Sequence, residues 1–120
     1  TGKFEPTVIA VEAVDLCLGR ILDAVERMKV SLVVTADHGN ADDMAERDKS
    51  GKPRKREDGS LVARTSHSLN PVGFWIYRAD GAAVSLRGDL PEAGLANIAS
   101  TLFELLGFAP PEGYLPSMLA

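Results

Sequence analysis

The sequence predicts an α/β domain with a mainly parallel sheet flanked by helices. Three observations carry this. From Glu5 or Pro6 to Arg27, apolar side chains recur at three- and four-residue steps. Val30 to Thr35 form a short apolar run that stops at Asp37-His38-Gly39-Asn40. Pro71 to Tyr77 form a second apolar run, rich in aromatics. A run without polar alternation reads as a strand covered on both faces, as in a parallel sheet. A helix followed by such a strand is one half of a βαβ array.

The first helix places Val8, Val11, Val14, Leu18, Ile21, Leu22 and Val25 on one side. Glu12, Asp15, Asp23, Glu26 and Arg27 fall mostly on the other. Pro6 suits a first turn, where its missing N–H costs nothing. Gly19 weakens the helix by about 1 kcal/mol relative to Ala. Cys17 lies among apolar positions and reads as a small buried hydrophobe.

After the first strand, Ala41 to Ala45 are expected to make a helical turn. Glu46 to Asp58 hold six basic and four acidic residues, with Gly51 and Pro53 between them. This charged segment is either a mobile flap that attracts an anionic substrate or a solvated hairpin or loop, and the second is simpler. Gly59 to Arg64 are expected to return as a short strand. The strand from Pro71 to Tyr77 meets a tight Asp80-Gly81 turn. Ala83 to Arg87 should then pair back, giving a β-hairpin near residues 72–87. Leu95, Ile98, Ala99, Leu102, Leu105 and Leu106 mark the apolar side of a last helix, which Gly107 ends. Residues 108–120 are proline-rich and read as an irregular tail.

Composition bounds the function. The chain has 120 residues, of which 45% are hydrophobic and 25% charged. That suits one globular domain, and no internal boundary is marked. The formal net charge is −4, which gives nucleic-acid binding no support. No stretch approaches a membrane span or a signal peptide. One cysteine permits no internal disulfide and fits a reducing, cytoplasmic setting. The chain lacks an initiator Met, and a βαβ unit would need a strand before the first helix. It is therefore expected to be part of a longer protein.

The chemistry gathers at the strand ends. In open α/β sheets, ligands bind outside the carboxyl ends of strands. Asp37 and His38 stand on the turn after a strand, where both can converge on one point. A carboxylate oxygen and an imidazole nitrogen suit Mn²⁺ or Zn²⁺. His67 is flanked by Ser66 and Ser68 just before the next strand. A lone loop histidine is usually a surface residue. Here the chain has two histidines, each in a small-polar cluster beside a strand end, which points to a shared site. Asn40 is placed either to orient a metal ligand or to cap the turn after it.

Thr35-Ala36-Asp37-His38-Gly39-Asn40-Ala41-Asp42, followed by Thr65-Ser66-His67-Ser68-Leu69-Asn70-Pro71-Val72, resembles the C-terminal part of the cofactor-independent phosphoglycerate mutases. These belong to the alkaline phosphatase superfamily. Ala10 to Asp15 and Ile98 to Gly107 resemble the same family, so the likeness covers nearly the whole chain. It implies an alkaline-phosphatase-like fold and an isomerase of glycolysis and gluconeogenesis. Such an enzyme interconverts 3-phosphoglycerate and 2-phosphoglycerate through a phosphoserine intermediate. The resemblance implies two Mn²⁺ ions, with other divalent metals possible. Asp37 and His38 match ligands of the metal that also holds the serine nucleophile, and His67 matches a ligand of the second.

No catalytic nucleophile is expected within residues 1–120. The serine, a further Asp ligand, an Asp-Met-Val-Gly-His motif and the inserted substrate domain are expected upstream. Residues 1–120 are thus read as a C-terminal segment of the metal-binding domain, inactive alone. The full-length protein is expected to be a cytoplasmic monomer that acts on phosphoglycerate, with no nucleic-acid or membrane partner. Four features depart from the family pattern. The segment from Glu46 to Arg64 is long, Arg64 stands where histidine is common, Gly73 stands where a second proline is common, and the tail Leu115-Pro116-Ser117-Met118-Leu119 only loosely resembles the family's ending. Another superfamily phosphomutase, such as phosphopentomutase, or a phosphate or phosphonate hydrolase, is disfavoured by Asn70-Pro71-Val72. The remaining alternative is a non-catalytic metal-binding or interaction module, in which Asp37, His38 and His67 are turn and surface residues.

Overall fold

The computed structural model describes residues 2–120. They fall into two compact units, residues 2–79 and 80–120. In the first unit, α1 spans Phe4–Met28, β1 spans Ser31–Thr35 and β2 spans Phe74–Arg78. Helix α1 covers the expected span and ends at Lys29, whose φ of 56° is left-handed. From there the N–H of Lys29 reaches back to the Glu26 carbonyl, as helix stops do.

Only the C-terminal part of the apolar side of α1 is covered. Val25 is buried and Leu18 and Leu22 are half-buried, whereas Val11 and Val14 are exposed. Length explains this. A 25-residue helix runs about 37 Å, and a 5-residue strand runs about 17 Å. The overhanging side borders an open apolar groove of about 540 Å³, lined by Val14, Cys17, Ile21, Leu32 and Val34 among others. Cys17 is therefore exposed, not buried.

The expectation of a mainly parallel sheet is corrected. Among the described residues the sheet has two strands, and β1 pairs β2 antiparallel, with Ser31 opposite Arg78 and Thr35 opposite Phe74. Thr35 Oγ1 donates to the Gly73 carbonyl at 2.9 Å and extends the pairing by one residue. Tyr77 Oη hydrogen-bonds the Glu26 carboxylate and ties β2 to α1. The hairpin near residues 72–87 is also corrected. The Asp80-Gly81 turn forms, with Gly81 at φ 70° and the Ala82 N–H on Asp80 Oδ1 at 3.0 Å. Beyond it Leu86 bridges Leu119 rather than β2. A favourable turn fixes a reversal of the chain but not the partner of the next segment.

Gly73 sits against an aromatic side chain. A Cβ built there would meet the ring of Trp75, so the backbone lies directly against the indole. Trp75 is 63% exposed, so its ring has room to swing away. Gly73→Pro or Gly73→Ala should therefore move the indole at small cost to stability. Trp75 is the one Trp of the chain, and its fluorescence emission reads the change directly. An unshifted spectrum would mean that the ring does not rest on Gly73.

The charged segment is ordered. Ala41 to Ala45 form a turn and not a helix, because Ala45 passes straight into a bridge with Ala63. Arg47 then bridges Pro53, and Lys55 bridges Leu61. Turns at Gly51 (φ 83°) and Gly59 (φ 82°) need the left-handed backbone that glycine adopts freely. The three limbs close on one another. The Glu46 N–H donates to the Val62 carbonyl (2.9 Å), Val62 to Arg54 (2.9 Å), and Arg54 back to Glu46 (2.7 Å). The simpler hairpin reading thus holds in doubled form.

In the second unit the last helix splits into a 3-10 turn, Leu95–Asn97, and α2, Ile98–Leu105, which Gly107 ends at φ 81°. On its apolar side Ile98 and Leu105 are half-buried and Leu95, Leu102 and Leu106 are exposed, while Asn97, Ser100 and Thr101 are buried. The tail explains the buried polar residues. Asn97 Nδ2 donates to the Pro116 carbonyl (2.8 Å), Ser100 Oγ to the Leu115 carbonyl, and the Met118 N–H to Thr101 Oγ1 (3.0 Å). An irregular tail has backbone groups to satisfy, and small polar side chains satisfy them where leucines could not.

Candidate metal centre

Antiparallel pairing brings the end of β1 beside the start of β2. The segment after Thr35 therefore meets the segment before Phe74. A parallel pair would have carried the second segment to the far end of the strands. His38 and His67 stack, with ring centroids 3.4 Å apart and planes 12° from parallel. His38 Nε2 lies 3.6 Å from Asp37 Oδ1, and Nδ1 lies 3.2 Å from the Gly39 carbonyl. Asp37 and His67 are exposed and His38 is half-buried. The three residues singled out by sequence thus share one face at the strand end. Asn40 is exposed there, and its carbonyl accepts the Asp43 N–H at 3.4 Å.

A latch holds the two segments together. The Ser68 N–H donates to the Gly39 carbonyl at 2.8 Å. Asp42 accepts from Ser68 Oγ at 2.8 Å and from Asn70 Nδ2 at 2.5 Å. Ser68 is buried, at 4% exposure, although both its neighbours are exposed. Sequence reasoning missed Asp42, Ser68 and Asn70 as a working set. Their signal was present in the small polar residues around each histidine, but their pairing spans 26 and 28 residues.

The hydrogen bonds from Ser68 and Asn70 hold the Asp42 carboxyl below its ordinary value of 3.8. A depressed folded value means that the latch is fully present above about pH 3.8 and is lost as pH falls through the lower folded value. In an acid titration the Asp42 carboxyl carbon should therefore respond below pH 3.8. A midpoint at or above 3.8 would show that Ser68 and Asn70 do not hold it in solution.

The donors fit a divalent metal in kind, since imidazole and carboxylate suit Mn²⁺ and Zn²⁺. In number they are a partial set: among the described residues, no three His, Cys, Asp or Glu side chains form a cluster that could hold an ion. The stacking adds a constraint. An imidazole nitrogen offers its lone pair in the ring plane. Two nearly parallel planes 3.4 Å apart cannot both contain one ion.

The profile of the metalloenzyme superfamily matches residues 1–110. The chain belongs to that family. Within it, the chain is 45% identical to the 2,3-bisphosphoglycerate-independent phosphoglycerate mutase of Trypanosoma brucei brucei and 50% identical to mutase 1 of Arabidopsis thaliana, each over 99% of its length. A crystal structure of Leishmania mexicana phosphoglycerate mutase, at low cobalt concentration, superposes with a TM-score of 0.93 at 48% identity, over 99% of the chain. The chain spans 22% of the length of each of these relatives. The metalloenzyme assignment agrees with the resemblance read from residues 35–42 and 65–72.

Proposed function

We propose that this chain supplies part of the metal centre of a cofactor-independent phosphoglycerate mutase, an isomerase of 3-phosphoglycerate and 2-phosphoglycerate. The observation that carries this is the meeting of His38 and His67 beside Asp37, across 28 residues of intervening chain. The relatives named as such mutases match the chain from end to end. In this reading residues 1–120 are a C-terminal segment of an alkaline-phosphatase-like domain in a cytoplasmic, monomeric enzyme. No described helix is long and apolar enough to cross a membrane.

Asp37 and His38 would hold one Mn²⁺ ion and His67 its neighbour. The stacked rings support this division, because one ion cannot lie in both planes. Bound divalent metals neutralise charge on a transferring phosphoryl group and lower the pKa of a hydroxyl nucleophile. This chain's own residues present and orient the ligands. Asp42 and Ser68 fix the spacing of the two loops, and Asn40 stands beside them.

The test is a phosphoglycerate mutase assay on the full-length protein, with and without Mn²⁺. Metal-dependent turnover is expected, and none under either condition would refute the reading. The 120-residue chain alone should bind Mn²⁺ weakly, since it carries a partial ligand set. Tight binding of two ions in calorimetry would contradict this.

A further inference from the structure

We propose that Arg64 is a positioning residue which, held by Asp43, sets the backbone that presents His67 to His38. Its functional meaning rests on the ligand role proposed for His67, but the geometry stands by itself. His67 is exposed, so packing does not fix its place. The flanking backbone must do so.

Arg64 grips that backbone at several points. Its Nη1 donates to Asp43 Oδ2 at 2.6 Å, its Nε to Ser66 Oγ at 3.0 Å, and its Nη2 to the His67 carbonyl at 3.4 Å. Its own N–H donates to the Met44 carbonyl at 2.9 Å. Isolated surface ion pairs contribute little, but this pair is more covered, with side chains 33% and 13% exposed. A rigid planar fork reaches three separated acceptors from three different nitrogens, whereas the donors of an ammonium all sit on one.

The neighbouring carboxylate completes the clamp. Asp43 holds the chain before His67 through Arg64, and Asp42 holds the chain after it through Ser68 and Asn70. The second oxygen of Asp43 accepts from Arg47 Nη2 at 3.4 Å. Arg47 and Arg64 stand at the two ends of the charged segment. The order of that segment is thereby linked to the place of His67.

The test compares Arg64→Ala, Arg64→Lys and a control, Arg54→Ala, which breaks the Glu46–Arg54 pair within the same segment. Histidine imidazole NMR on the metal-free full-length protein reads the stacking, because each ring shields the other. Both Arg64 variants should move the His38 and His67 signals together toward unstacked values, and the control should leave them in place. Arg64→Lys keeps one contact to Asp43 and decides the matter if Arg64→Ala does not fold. Titration with Zn²⁺, a diamagnetic probe, should show about 10-fold weaker binding in the Arg64 variants. Unchanged imidazole signals in both variants would overturn the positioning role. If the wild-type His67 signals ignore Zn²⁺, the ligand reading fails separately, and the stacking comparison still decides the role of Arg64.

Discussion

His67→Ala should lower the mutase activity proposed for the full-length protein by about 100-fold or more, above the 10- to 100-fold typical of groups that only support a metal ligand. The side chain is exposed and its neighbours are held through Ser68 and Asn70, so folding should survive. A surface substitution of this kind usually changes stability by no more than about 0.5 kcal/mol. Circular dichroism and thermal melting should therefore match the wild type while turnover and metal affinity fall. Asp37→Ala should behave alike, since Asp37 is still more open, with a side chain 88% exposed. Near-normal turnover of either variant would remove that residue from the site.

Gly39→Ala should do damage of a different kind. A Cβ at Gly39 would lie 2.6 Å from Asp42 Oδ1 and closer still to Ser68 Oγ. Neither can yield freely, because each holds the other at 2.8 Å and Ser68 is buried. The added methyl must break the latch or push the two loops apart. Overpacking of this sort costs about 1–3 kcal/mol. Stability and metal affinity should fall together, in contrast to His67→Ala, where stability stays. Chemical denaturation beside a metal titration separates the two cases. A Gly39→Ala protein with unchanged denaturation midpoint and unchanged metal affinity would show that the latch does not exist in solution.

How far the sequence could be read depended on the range of each interaction. Helix α1 was legible to within one or two residues at either end, because its apolar period and its stop are local. The span of β1 was legible too, but its partner was not. An apolar run records that a strand is covered and does not record the direction of its neighbour. The apolar side of α2 was legible, but its buried polar residues were not, because leucines dominate any hydrophobic count. Asn97, Ser100 and Thr101 are buried for the hydrogen bonds they make with a tail 15 to 19 residues away, the first two donating and Thr101 accepting.

At the site, Asp37, His38 and His67 stood out by residue type and position, and the structure brings them to one face. Asp42 and Arg64 did not stand out as members of the site. A carboxylate and a guanidinium in polar loops look like ordinary solvated charge until their partners are known.

The three-limbed arm closes in a cycle from Glu46 to Val62 to Arg54 and back. A plain hairpin has a weakest end and frays from its tip, so its amide protons exchange with solvent in a graded series. A cycle has no end. Once one of its bonds opens, the limb that held it loses its place against both others. The amides of Glu46, Arg54 and Val62 should therefore exchange at one shared rate, and the arm should come apart as a single cooperative unit.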